Sequence, residues 1–314
     1  MSRAHRRGGA GGRWSLAAPR SRRLLLLLAL TAAACAGPAQ QQVPDLRREA
    51  VEFNEAGYGY FRQARWRLAQ EKFAQALRLN RLIDHRAGIA SNLNNLGAVA
   101  QEQGNLEQAG RYFAEALTVH RETGDAAGLS ESLNNLGAVH QAQGRLREAR
   151  ECYQQALAYA RTLPSGPLLA LSLTRLGDLA RRDRDFQQAL SLYRQALAQD
   201  LAGQDRRGQA VRWTRLGRTY TDLGDFARAA AYLQDALREF RRLEDSGGIV
   251  EALDALTRLA LARGDRDEAR LYGERLIKVY LARSQEKEAQ EMEALLSARP
   301  RPPARPGPGP PIHK

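Results

Sequence analysis

Two adjacent polar positions recur every forty residues along this 314-residue chain, and their chemistry suits a ligand better than anything else in it. The first reads Asn54, Asn94, Asn134, Thr174, Thr214 and Asp254. The next reads Glu55, Asn95, Asn135, Arg175, Arg215 and Ala255. An Asn amide carries both donors and an acceptor, the same groups a peptide backbone presents, so a ladder of them suits an extended segment held with little regard to its sequence. Arg175 and Arg215, with Arg218 one turn further on, add guanidinium forks that match carboxylates. No catalytic constellation accompanies them. There is no G-x-S-x-G, no H-E-x-x-H and no nucleophile beside an obvious base. The five His residues have no metal-ligand spacing with each other or with Cys35 and Cys152.

The elements that carry these positions repeat with the same period. A shift of forty superposes Gly57, Gly97, Gly137, Gly177 and Gly217, with Thr257 closing the series, and it superposes Ala69, Ala109, Ala149, Ala189, Ala229 and Ala269. One supersecondary unit is therefore stacked on itself. In each unit a first helix is predicted from an apolar stripe such as Leu133 and Leu136, and a turn from Gly144. A second helix is predicted from Ala149, Tyr153 and Ala156, where small and large residues alternate. Arg184 takes the turn position held by Gly104, Gly144, Gly224 and Gly264. Asp45, Asp125, Ser165, Asp205 and Asp245, with His85 in the same phase, read as N-caps of the first helices. Gly88, Gly128, Gly208 and Gly248, three residues later, point to close packing on the preceding helix. The expected organisation is six units over 45–283 (about 45–84, 85–124, 125–164, 165–204, 205–244 and 245–283) and a capping helix at 284–298.

The succession Leu133, Leu136-Gly137, Gly144, Ala149, Tyr153, Ala156 resembles the tetratricopeptide repeat, in a forty-residue form similar to the repeats of kinesin light chains and cell-polarity scaffolds. The resemblance implies an all-α, right-handed α-solenoid whose first helices line a concave groove. Asn54, Asn94, Asn95, Asn134, Asn135, Thr174, Arg175, Thr214, Arg215 and Arg218 would then face a bound segment. The family's carboxylate clamp is partly echoed. Asn135 and Arg175 match its Asn and Arg phases, whereas Leu171 and Ala98 stand where it has Lys and Asn.

The leader reads as an address. Residues 1–34 carry seven Arg and no acid, Leu24–Leu30 is nearly all Leu, and small residues follow. This apolar run is too short to span a bilayer and reads as a signal peptide. Ala32-Ala33-Ala34 before Cys35 resembles a bacterial lipobox, although Ala32 stands where Leu is usual. The resemblance implies lipidation of Cys35, with Ala36 indicating an outer membrane; ordinary cleavage and secretion remain open. Residues 35–44 read as lipidated Cys and flexible tether, and the Pro/Arg-rich 299–314 as a disordered tail.

The formal charge of +13 lies mostly outside the repeats. The leader's seven Arg and the four basic residues of 299–314 leave only +2 for residues 35–298, which argues against nucleic acid as a partner. The chain is expected to be a non-catalytic scaffold, anchored to the membrane through Cys35 and binding an extended peptide segment of a protein partner. No cofactor and no small-molecule substrate are expected. A cytoplasmic regulatory or sensor module, and an assembly component of a secretion or pilus system, are the alternatives.

Overall fold

The computed structural model describes residues 38–164 and 166–297. The signal peptide, Cys35 and the 299–314 tail lie outside these residues. Among the described residues there are thirteen helices and no strand: α1 Pro38–Arg62, α2 Trp66–Leu82, α3 Arg86–Glu102, α4 Leu106–Thr123, α5 Ala126–Ala142, α6 Leu146–Ala160, α7 Pro167–Arg182, α8 Phe186–Ala202, α9 Arg206–Asp222, α10 Phe226–Arg242, α11 Ser246–Arg263, α12 Arg266–Ala282 and α13 Glu286–Ser297. Each helix packs mainly on its neighbours in sequence. The odd-numbered helices also touch the next odd-numbered one, as α3 with α5, α5 with α7 and α9 with α11. The result is a solenoid of helix pairs with a row of first helices along one side. None of the described helices is long and apolar enough to cross a membrane.

Two contacts repeated along the stack set this geometry. In the first five units the large residue of the second helix lies on the glycine of the first, whereas the sixth has Thr257 in the glycine phase and Gly273 in that of the large residue. A Cβ at Gly97 would lie 2.5 Å from Cε1 of Phe113, and one at Gly137 the same distance from Cε1 of Tyr153. Phe73, Phe113, Tyr153, Tyr193 and Leu233 are all buried there, beside fully buried Ala69, Ala109, Ala149, Ala189 and Ala229. Between units, Gly88 lies against Asn80, Gly128 against His120, Gly208 against Asp200 and Gly248 against Phe240. The fourth unit reverses the sizes: Leu168 stands in the glycine phase and Ala160, fully buried, in the phase of the large partner.

Eleven of the turns follow one rule. The residue after the second-last turn position adopts a left-handed backbone at Ala64, Gly104, Gly144, Arg184, Gly224 and Gly264, and between units at Asp84, Gly124, Gln204, Glu244 and Ser284. The following N–H returns to a carbonyl five residues back, as Asn105 to Ala100 and Arg145 to His140, both 2.9 Å. This is the Schellman closure of a helix C-terminus. Arg184 therefore makes the same turn as the glycines, at φ 64°, where an L side chain costs about 1 kcal/mol.

The caps partly differ from expectation. Asp125, Asp205 and Asp245 accept from Gly128, Gly208 and Gly248 N–H at 3.0, 2.9 and 3.0 Å. His85 occupies the cap position without capping, and Ser165 lies outside the described residues. Asp45 is not a cap, because α1 begins at Pro38 and continues through Pro44. Pro is well suited to the first position of a helix, and the Ala39–Gln42 stretch has good helix formers, so helix replaces the expected tether over 38–44. The second helices carry caps of their own at Asn105, Asp185, Asp225 and Asp265.

Helix α13 keeps the forty-residue phase. Leu296 aligns with Leu96 and Leu136, and Ser297 with the glycine, so α13 is the first helix of a seventh unit. Its Ala289 and Met292 are buried at the end of the stack.

Two substitutions test these contacts in chemical denaturation of the purified chain. Gly137→Val, which drives a side chain into the Tyr153 ring, is expected to lower stability by about 2 kcal/mol. Arg184→Gly is expected to raise it by about 1 kcal/mol by removing the left-handed strain.

Candidate functional site

The first helices place the two polar phases one residue, and hence about 100°, apart on the helix surface, and the structure treats them differently. The phase of Asn94 turns into the contact between successive first helices. Asn94 and Asn134 are 6 % and 2 % exposed. Ser132 Oγ donates to Asn94 Oδ1 at 3.1 Å, and Asn134 Nδ2 donates to Ser172 Oγ at 2.8 Å and to the Ser130 carbonyl at 3.0 Å. Asn92 Nδ2 donates to Asn54 Oδ1 at 2.8 Å in the same way. Thr174 and Thr214 are also buried, and their hydroxyls donate to the carbonyls of Ala170 and Ala210. At its Asn positions this phase is thus a ladder of bonds linking residue i to residue i+38, whereas Thr174 and Thr214 bond within their own helices. A buried amide without partners costs about 1–3 kcal/mol, so Asn94 and Asn134 hold one unit on the next.

The phase of Asn95 reaches the open side of the first-helix row, and most of it is engaged there. Asn95 Nδ2 donates to Asn54 Oδ1 at 2.9 Å, and its Oδ1 accepts from Tyr58 OH at 2.9 Å. Arg215 Nε lies 3.2 Å from Asp178 Oδ1, and its Nη1 lies 3.9 Å from Glu251. Asp178 also accepts from Tyr193 OH at 2.8 Å; burial, then this carboxylate, push the Tyr193 phenol far above its ordinary range. Arg218 Nη2 donates to the Glu251 carbonyl at 3.2 Å and to Asp254 Oδ2 at 3.3 Å.

Asn135 and Arg175 stand apart from these. Both are half-buried, neither has a hydrogen bond or ion pair, and they occupy the same phase on the touching helices α5 and α7. Arg175 Nε is enclosed and without a partner. Beside Arg175 opens a cavity of about 280 Å³ whose wall includes half-buried Leu171 and Val211, the guanidinium groups of Arg207, Arg212 and Arg215, and the carboxylates of Asp178 and Asp205. A guanidinium without a partner of its own, next to apolar groups, is equipped to take a carboxylate and the carbon chain that bears it.

Several polar residues of this face escape the two-phase sequence reading. Asn92, Ser132 and Ser172 are the second half of the inter-unit ladder, and their own forty-residue spacing was the available signal. Arg212, 9 % exposed, pairs with Asp200 at 3.1 Å inside the stack. Burial raises the Asp200 carboxyl above its ordinary range, and the Arg212 charge opposes that shift. Arg181 and Arg258 join Arg218 at the far part of the row, and Arg258 stands one period from Arg218.

The tetratricopeptide repeat family model matches residues 53–122, 88–162, 128–202 and 209–282. No curated protein matches the chain. Solved structures share its fold at low identity. A Rap protein complexed with competence and sporulation factor is 14% identical over 79% of this chain and 74% of that one, with a TM-score of 0.60. The apo form of RapI is 15% identical over 88% and 95%, with a TM-score of 0.62. PilF of Pseudomonas aeruginosa is 22% identical over 78% and 98%, with a TM-score of 0.53. With repeat matches over most of its length and a stack of helix pairs in one forty-residue register, the chain belongs to the tetratricopeptide repeat family.

Proposed function

We propose that the protein is a non-catalytic scaffold that holds an extended segment of a partner protein along the row of first helices, with Asn135 and Arg175 as its principal contacts. The observation that carries this reading is the contrast within one periodic row. Asn54, Asn95, Arg215 and Arg218 are bonded to neighbours, whereas Asn135 and Arg175 are adjacent, half-buried and unengaged. The Asn135 amide would bond the backbone of the segment, and Arg175 would take a carboxylate of it. Membership of the tetratricopeptide repeat family supports a role in protein interaction, and the Rap protein solved with competence and sporulation factor is a fold relative that holds a partner. Asn94 and Asn134 enter this reading as the supports that keep the row in register, and Thr174 and Thr214 as buried groups satisfied within their own helices.

The scaffold is also proposed to be tethered to the bacterial envelope through a lipid on Cys35, on the periplasmic face of the outer membrane where the cell has one. The basic leader, the Leu24–Leu30 run and the small residues before Cys35 support this.

A photo-crosslinker placed at Ala138, beside the two contacts, is expected to trap a defined protein in cells. Arg175→Gln and Asn135→Ala should weaken that capture about tenfold each while leaving the thermal midpoint unchanged. Asn134→Ala should lower stability by about 1 kcal/mol through the lost inter-unit bonds. Equal loss of stability in Asn135→Ala and Asn134→Ala would remove the distinction on which the contact assignment rests. For the tether, metabolic labelling with a fatty-acid analogue is expected to mark the wild-type chain and not Cys35→Ala. Label that persists in Cys35→Ala would exclude lipidation at that residue.

A further inference from the structure

Beyond Arg215, towards the C-terminal ends of α7, α9 and α11, the same row opens into a second cavity of about 360 Å³, lined by Arg181, Arg218, Arg258, Asp222, Asp254 and Thr221 among others. Three guanidinium groups face two carboxylates. Arg181 Nε lies 2.6 Å from Asp222 Oδ2, while Arg218 and Arg258 share Asp254, at 3.3 Å and 2.9 Å. The nearby Glu251 carboxylate is directed to Arg215, and only its backbone carbonyl meets Arg218. The lining itself thus carries three guanidinium groups against two carboxylates, while Arg215, held by both Asp178 and Glu251, brings the wider cluster to charge balance.

Several of its N–H donors have no partner within the protein. A guanidinium has five N–H groups, yet Arg181 and Arg258 hydrogen-bond through Nε alone. Arg218 bonds through Nη2, and its Nε is enclosed without a partner. The enclosed Arg218 Nε, the N–H groups left over on Arg181 and Arg258 and an opening on the first-helix row suit a carboxylate as acceptor.

We propose that this cavity is a second subsite for the partner segment and that it takes an Asp or Glu side chain of the partner, separate from the carboxylate on Arg175. The inference rests on the reading that a segment lies along the row, and it specifies that segment as one with two acidic residues.

The test is fluorescence anisotropy of dye-labelled hexaglutamate on the full chain, with hexaglutamine and a six-residue oligothymidylate as comparison probes. Hexaglutamate is expected to bind and to weaken with salt, and hexaglutamine to show no binding. Arg258→Gln and Arg181→Gln should each weaken hexaglutamate about tenfold, with circular dichroism unchanged, and Arg147→Gln on the exposed side of α6 should have no effect. Failure of hexaglutamate to bind overturns the subsite. So does full affinity in Arg258→Gln and Arg181→Gln when Arg175→Gln binds weakly, a result that leaves the Asn135–Arg175 contacts standing. Loss in Arg258→Gln and Arg181→Gln with full affinity in Arg175→Gln supports the subsite and removes Arg175 from the first reading. Oligothymidylate that binds as tightly as hexaglutamate, and is lost in the same variants, overturns the assignment to a protein carboxylate.

Discussion

The fold depends on a ring lying where a side chain is missing. At Gly97, Gly137 and Gly177 the second helix sets Phe113, Tyr153 and Tyr193 into space that a Cβ would occupy. This fixes how closely the two helices of a pair approach, and repetition at forty residues carries the same approach through the stack. A second exclusion of the same kind operates between pairs, where Gly128 faces His120 and Gly208 faces Asp200. The pairing of sizes is complementary rather than invariant. Where the fourth unit has Leu168, its counterpart is Ala160. Close-packed interiors leave no slack for both to be large.

Because packing fixes the spacing, the polar groups between first helices meet in register. Asn54 with Asn92, Asn94 with Ser132 and Asn134 with Ser172 are one bond repeated at successive joints. A slip of one residue would bury these groups without partners, so the ladder opposes misregister as well as adding stability. In the later units the joint changes character. Arg212 and Asp200 form a buried ion pair, and Arg215 with Asp178 forms another near the surface. The row thus passes from amide bonds at its N-terminal part to guanidinium–carboxylate pairs at its C-terminal part. Asn135 and Arg175 sit at the changeover, where neither system engages them.

The architecture was legible because it is carried by size. Gly, Ala and the large residues at fixed offsets allow few arrangements, and even Arg184 obeyed the turn that its neighbours predicted. The start of α1 was not legible, because Pro44 and the glutamines before it read as a break, whereas local propensity carries the helix back to Pro38. The site was legible only as a set of candidates. Asn134 and Asn135 are the same residue type one position apart, and nothing in their identity tells a satisfied buried amide from an open one. The distinguishing information lay in a third phase, Asn92, Ser132 and Ser172, which supplies the partners of the first. The caps at Asp185 and Asp225 were present in the sequence as residues following a turn position, and they needed the second-helix starts to be placed before they could be recognised.

The proposed role requires an outside segment to bind the first-helix row at the changeover between amide and ionic joints. Hydrogen–deuterium exchange of the chain with and without its crosslink-identified partner addresses this directly. Protection concentrated in α5, α7 and α9, with α6, α8 and α10 unchanged, is the predicted result. Protection confined to the second helices, with α5 and α7 exchanging as in the free protein, would contradict it.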